Sequence, residues 1–463
     1  MKHRSTATKL GAIAVLIALA VLARMFAPPS GDQSLADPLG FGFEKPAGGL
    51  LATGTGLGLL LLGAWLLGKV VYEFGVSKIT GFLLFGMLVG PDVTGILQKD
   101  QLEYLKLSND LAISLIALTA GGEIELGFIR RSLKLLTSIL TAQIIAILLV
   151  VTGVMFLVFQ GGSAFSELTQ VQILMIALVV GTIATASSPA VVIAILAETG
   201  AKGAMAQTTL AAAVCKDLIL VVLFSIVLSI ASGVVLGSGG SGSELTLYLI
   251  THLGGSVLAG IIVGVALAAY VKLVTSHLSI VIVGASFAIA LFGKQLDLEP
   301  LIVALTAGLV MRNAFGSSTE KLFSTVETLS LPVYAVFFAV AGAKIDPAKL
   351  LAVWPAVLAL VCARAGAVWA GTHIGVRAAG VSGPTRTWAW TAFIPQAGVS
   401  LALALVVQRE FSAEPSFSDM LFNLLLSAIA VHELVGPILY KIGLTRAEAS
   451  ESRAAPSLPA SDG

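Results

Sequence analysis

The chain has 463 residues, of which 57% are hydrophobic and 11% charged, with a formal net charge of +1 and a mean hydropathy of +0.98. A soluble domain carries about 25% charge, so the composition excludes an ordinary soluble protein, and its near-neutral balance gives no footprint for a nucleic-acid partner. Two cysteines, Cys215 and Cys362, both in apolar runs, make neither a disulfide framework nor a metal-ligand spacing.

In chain order, about fourteen apolar runs follow one another. They lie near 9–27, 50–72, 79–98, 108–126, 135–159, 171–196, 205–232, 246–270, 278–294, 298–312, 325–343, 351–376, 386–408 and 418–440. Many have about 18–25 residues, the length of a bilayer-crossing helix. The alternation over about ten-residue segments that marks a membrane barrel is missing. The fold class is therefore an all-α polytopic membrane protein with about 13–14 transmembrane helices. Residues 1–49 read as an N-terminal helix and loop, the helix fitting either a transmembrane span or a signal peptide. Residues 50–440 read as the transmembrane domain and 441–463 as a disordered tail. The Pro/Gly/acidic stretch 28–49 and the Gly/Ser-rich stretch 233–244 read as flexible loops.

Placing the N-terminus inside puts Arg130, Arg131, Lys134, Lys272, Arg312, Lys321, Arg377 and Arg386 on the cytoplasmic side. Both termini are then cytoplasmic.

Three fragments recur in the same order. "GFLLFGMLVGP" (81–91) is similar to "LIVALTAGLVMRN" (301–313), and "TAGGEIEL" (119–126) to "VAGAKIDP" (340–347). "ATASSPAVV" (184–192) is similar to "FIPQAGVSL" (393–401). Repeat 1 spans about 50–232, a linker helix about 246–270, and repeat 2 about 278–440. The halves are offset by an odd number of spans, so they insert with opposite topology. Each half holds one span broken by proline. Inverted repeats with paired broken helices are a common build of secondary transporters, with the ion site where the breaks meet.

In the first break Pro189 cannot donate a hydrogen bond and its ring clashes with the preceding turn. Thr182, Thr185, Ser187 and Ser188 bring hydroxyls there, and opened carbonyls and half-helix ends suit a small cation. Pro395, Gln396 and Gly398 offer the same chemistry in the second break.

Charges inside the membrane are functional candidates by default. Asp217 lies deep in the seventh span, next to Lys216, after the small residues Ala211 to Ala213 that admit a close helix. Helix neighbours diverge by about 100°, so Lys216 and Asp217 face different partners. Arg364 is the other mid-span cation and needs a carboxylate or several carbonyls. Glu123, Glu125, His432 and Glu433 read as edge or structural residues, which leaves Asp217 as the one deep carboxylate.

Taken in order, "ITGFLLFGMLVGP", "ALTAGGEIEL", "GTIATASSPAVV", "AETGAKGAMAQTTLAAAVCKD", "LIVALTAGLVMRN", "PVYAVFFAVAGAKID" and "FIPQAGVSLALAL" resemble the monovalent cation/proton antiporter superfamily, the bacterial sodium/proton and potassium/proton exchangers. The resemblance covers roughly residues 50–440. It implies a dimerisation domain and a mobile core domain, two crossed discontinuous helices, a homodimer and a multi-pass place in the cell inner membrane. It implies that a monovalent cation and protons are the partners, with no cofactor. The ion- and proton-binding carboxylate maps onto Asp217, with Lys216, Thr185, Ser187, Ser188 and Gln396 around it, and a supporting charge onto Arg364.

The sequence departs from that pattern in two ways. Members usually carry Asp-Asp, Asn-Asp or Gln-Asp where this chain has Lys216-Asp217, which unsettles a two-carboxylate scheme. No C-terminal nucleotide-binding regulatory segment is visible, so nucleotide gating within the chain is not expected. If Lys216 and Arg364 both stay charged, the core is net positive, which favours electroneutral exchange of one cation for one proton. If burial strips the Lys216 proton as a cation arrives, transport moves charge. The competing readings are a transporter or channel for another solute on the same fold, and an intramembrane enzyme. The polar residues cluster at the breaks rather than lining a pore, and neither a Gly-x-Ser-x-Gly elbow nor paired metal-ligand histidines occur.

Overall fold

The computed structural model describes residues 50–454, apart from 124–125, 163–164, 202, 237–241, 275–277, 297, 299, 316–319, 397 and 413–414. The first apolar run, the 28–49 loop and Glu125 lie outside the described residues, as does the side chain of Glu123.

All regular structure among the described residues is helical. The helices are α1 (Leu50–Glu73), α2 (Lys78–Val89), α3 (Lys99–Tyr104), α4 (Lys106–Glu123), α5 (Leu126–Arg131), α6 (Leu133–Gln160), α7 (Gln170–Ile183), α8 (Pro189–Thr199), α9 (Ala204–Leu236) and α10 (Gly242–Leu273). The second half holds α11 (Leu278–Gln295), α12 (Pro300–Phe315), α13 (Glu320–Ala343), α14 (Pro347–Ala352), α15 (Trp354–Ala378), α16 (Pro384–Trp388), a 3-10 turn (Ala389–Phe393), α17 (Gly398–Glu410) and α18 (Pro415–Ala454). Six of them are long and apolar enough to cross a bilayer alone. The other apolar helices are shorter, and α7 with α8 shares one span across a break.

Three boundaries differ from the sequence expectation. The span expected at 79–98 stops being helical at Val89, because Gly90 and Pro91 end it and Gly95 turns the chain back at φ +65°. The 233–244 stretch is helical up to Leu236 and again from Gly242. The tail expected to be disordered from 441 continues α18 to Ala454, because Tyr440, Leu444 and Ala447 bury one stripe of it.

The helices sort into two bundles. In the first, α2 packs on α1 and α13, and α4 on α12 and α13. In the second, α15 packs along α6, α7 against α6 and α9, and α18 against α17, α15 and the 3-10 turn. The long helix α10 touches both, through α12 and α9. Two crossings in the first bundle require glycine. A Cβ on Gly86 or Gly342 would strike the Ala339 or Leu83 carbonyl where α2 meets α13. A Cβ on Gly121 or Gly308 would strike the Leu305 or Leu118 carbonyl where α4 meets α12. Without a hydrophobic drive between helices in lipid, such close backbone contact supplies the dispersion energy that holds them.

An ion pair within the second bundle reaches the first through hydrogen bonds. Lys441 Nζ of α18 sits 2.9 Å from Glu198 Oε1 of α8. Glu198 Oε2 accepts from Ser77 Oγ at 2.9 Å and from the Lys78 backbone N–H at 3.0 Å, at the start of α2. Lys441 Nζ also donates to the Val76 carbonyl at 3.0 Å and lies over the Tyr72 ring. A carboxylate suits the amide end of a helix.

A candidate ion-binding site

The site is built on two interruptions. Helix α7 ends at Ile183, and Ser188 caps the start of α8, its Oγ accepting the Val191 N–H. Pro189 occupies the first turn of α8, where no N–H is needed. In the other half, the 3-10 turn ends at Phe393 and α17 starts at Gly398. The breaks touch: the Ser188 N–H donates to the Pro395 carbonyl at 2.9 Å, and Gln396 Nε2 donates to the Ile183 carbonyl at 3.2 Å.

Arg364, fully buried on α15, satisfies the opened carbonyls. Its Nε donates to Ala184 O at 2.8 Å and one terminal nitrogen to Ile394 O at 2.7 Å. The other terminal nitrogen donates to Ala186 O at 2.6 Å and Phe393 O at 2.9 Å. The guanidinium thus binds two carbonyls from each break, at the carbonyl ends of α7 and the 3-10 turn. Its planar fork suits four acceptors, and its charge suits two negative helix ends.

Asp217 of α9 faces a cavity of about 40 Å³. Ser187, Ser188, Pro189 and Ile193 line it from the second bundle, and Ala117 of α4, Leu305 of α12 and Phe337 of α13 from the first. The cavity therefore lies on the boundary between the bundles. A water needs about 10–15 Å³ by this measure, so the space suits a few waters or one small hydrated ion. Neither Asp217 carboxylate oxygen, nor Ser187 Oγ, has a hydrogen-bond partner among the described residues. A buried polar group left unpartnered is costly, and this cluster of oxygens can accept a donor or a cation. No three His, Cys, Asp or Glu side chains converge among the described residues. The oxygen set is one carboxylate with hydroxyls.

Residues 57–444 match the transmembrane region of the sodium/hydrogen exchangers. The chain belongs to that family. Its fold is that of two structures of the sodium proton antiporter MjNhaP1 from Methanocaldococcus jannaschii. The one at pH 8 has a TM-score of 0.62 at 18% identity and covers 87% of this chain and 98% of that one. The one from electron microscopy has a TM-score of 0.69 at 19% identity and covers 88% and 100%. A probable Na(+)/H(+) antiporter, GerT of Bacillus cereus, is 27% identical over 174 residues, which is 37% of this chain. The match spans 42% of GerT's length. Family and fold are those of secondary transporters rather than of enzymes.

In this member of the family, the structure distributes the residues singled out from sequence over three places. Asp217, Ser187 and Ser188 share the cavity. Thr185, whose hydroxyl donates to the Thr182 carbonyl at 2.7 Å, and Gln396 shape the breaks instead. Arg364 takes carbonyls, not a carboxylate. Lys216 turns away from Asp217: its Nζ donates to Gln143 Oε1 of α6 at 2.8 Å and lies 5.3 Å from the centre of the Phe393 ring.

One expectation needs correction. Glu433 is 6% exposed against 8% for Asp217, so Asp217 is not the one deeply buried carboxylate. His432, beside it, is buried too. Gln143, Thr372 and Phe393 went unnoticed in the sequence. The available signal was a lone amide in the apolar helix "LTAQIIAILL".

Proposed function

We propose that the protein is a secondary active antiporter that exchanges a monovalent cation, sodium or potassium, for protons across a membrane, with Asp217 carrying either in turn. The observation that carries this reading is the unpartnered Asp217 carboxylate facing, with Ser187, a cavity on the boundary between two helix bundles. A single carboxylate binds one proton or one cation. An empty, charged carboxylate is costly to move past apolar walls, whereas a loaded one is neutral, and that asymmetry couples the two fluxes. One titratable group in the cavity, with Lys216 directed to Gln143, favours one cation for one proton and hence electroneutral exchange. The similar antiporters described above, which exchange sodium, favour sodium here. Residues 50–232 and 278–440 read as the two inverted repeats, with a homodimer in the inner membrane and cytoplasmic termini as the expected assembly.

The test is proton flux in liposomes holding the purified protein. Adding sodium or potassium chloride to wild type should dissipate a preset pH gradient, at a rate insensitive to an imposed membrane potential. Asp217→Asn should insert and fold but give no flux. Flux in Asp217→Asn would overturn the carboxylate assignment, and strong voltage dependence in wild type would overturn electroneutrality.

A further inference from the structure

We infer that Gln143 is a positioning residue for this transport: it holds the Lys216 amino group out of the cavity, so that the cation meets Asp217 without an internal competitor. The inference rests on the antiporter reading above.

The geometry starts from adjacency. Lys216 and Asp217 are sequence neighbours on α9, and a lysine side chain is long and flexible enough to reach several directions. Neither Asp217 oxygen has a hydrogen-bond partner of ordinary geometry among the described residues. The helix sends the two side chains apart by about 100°, but a lysine stem can bend back over that angle, and a charge-assisted bond to a carboxylate is the strongest on offer. The Lys216 amino group does not take it. It donates to Gln143 Oε1 at 2.8 Å on the other side of α9.

Gln143 is itself fixed. Its Nε2 donates to Thr372 Oγ1 of α15 at 2.6 Å, and that hydroxyl donates to the Val368 carbonyl at 2.7 Å. This relay orients the amide so that its oxygen, and not its nitrogen, faces Lys216. Lys216, Gln143 and Thr372 are all fully buried. Gly371 lets α15 approach α6 at Gln143 itself, since a Cβ there would strike the Gln143 backbone. The Phe393 ring gives the amino group a second favourable contact.

The placement in the fold is specific. Gln143 is the eleventh residue of α6, and Arg364 the eleventh residue of α15, each helix following a six-residue helix. One position thus serves each half: Arg364 reaches the breaks directly, while Gln143 steers a cation that α9 supplies. A buried amide without a charge to direct would be an expensive choice over leucine.

The experiment measures sodium-driven proton flux in liposomes for wild type, Gln143→Leu, Gln143→Glu and the double variant Gln143→Leu with Lys216→Met. Gln143→Leu should raise the half-saturating sodium concentration by about tenfold or more, as expected when a competing cation gains the site. Its maximal rate should change far less. Gln143→Glu should stay close to wild type, because a carboxylate still retains the amino group. The double variant should recover the wild-type half-saturation, because the competitor is gone. An unchanged half-saturation in Gln143→Leu, or no recovery in the double variant, overturns the inference. If Gln143→Leu fails to insert, Thr372→Val, which loosens the amide, must shift half-saturation in the same direction. If it does not, the inference falls. A wild type without cation-driven flux would overturn the antiporter reading instead, a result visible before any variant is compared.

Discussion

The Ser188 backbone N–H and the Pro395 carbonyl, 2.9 Å apart, join the two broken helices through their main chains. Proline leaves each break with polar groups that lipid cannot satisfy, and here each break answers the other. Gln396 adds a side-chain bond to Ile183. A break in one half without its counterpart would leave these groups stranded.

Arg364 should be the least replaceable residue of this crossing. Arg364→Leu orphans the carbonyls of Ala184, Ala186, Phe393 and Ile394, each at a cost of about 1–3 kcal/mol. The expected outcome is failure to accumulate as folded protein in size-exclusion chromatography. Arg364→Lys keeps the charge but loses the fork. It should fold with a lower melting temperature and little transport. Wild-type-like stability in Arg364→Leu would contradict the clasp.

Ser187→Ala separates binding from stability. The hydroxyl has no partner among the described residues, so removing it relieves a buried unsatisfied group and should leave the melting temperature unchanged or slightly raised. Its loss from the cavity beside Asp217 should weaken cation binding by about 0.5–1.5 kcal/mol, a few-fold rise in half-saturating sodium. Lower stability with unchanged half-saturation would place Ser187 in the packing rather than the site.

Gly342→Val tests the α2–α13 crossing. The added side chain meets the Leu83 backbone, not a movable side chain, so the helices must separate. Overpacking of this kind costs about 1–3 kcal/mol or more. Gly366→Ala, on α15 where a Cβ meets nothing within 4 Å, is the matched control and should be neutral in a detergent thermal-shift assay.

Lys441→Met removes one partner of a pair whose carboxylate, on Glu198, is nearly buried. Breaking a buried pair costs about 3–5 kcal/mol. Ser77 and the Lys78 N–H remain on Glu198, so the loss should fall at or below the low end of that range. Adding Glu198→Gln to Lys441→Met should restore part of the stability, and no recovery would mean that Lys441 acts mainly through Tyr72 and Val76.

Much of the fold was legible because bilayer crossing writes itself into composition: apolar runs of helical length, prolines at both breaks and charges confined to a few places. The boundaries that failed were set by local backbone chemistry, as at Gly90-Pro91, or by packing, as along the C-terminal part of α18. In the site, Asp217, Ser187 and Ser188 were legible because polar atoms in an apolar span stand out. The partner of Lys216 was not. Gln143 lies 73 positions away, and no local pattern states which of several helices a lysine will face. The burial of Glu433 was not legible, because sequence position gives depth along a helix, not which side faces lipid.

The Arg364 clasp also determines where the molecule can yield. Four short bonds from one rigid group fasten both interruptions to α15, and α15 lies along α6. Relative motion between the two interruptions would break at least two of the four. The interface at the cavity has no such fastening: it is walled by Ala117, Leu305 and Phe337 against Pro189 and Ile193, carbon against carbon, which resists sliding little. Asp217 rides with the fastened part. The apolar seam and the candidate site coincide, so under the proposed function the surface least fastened is also the one that would meet the ion.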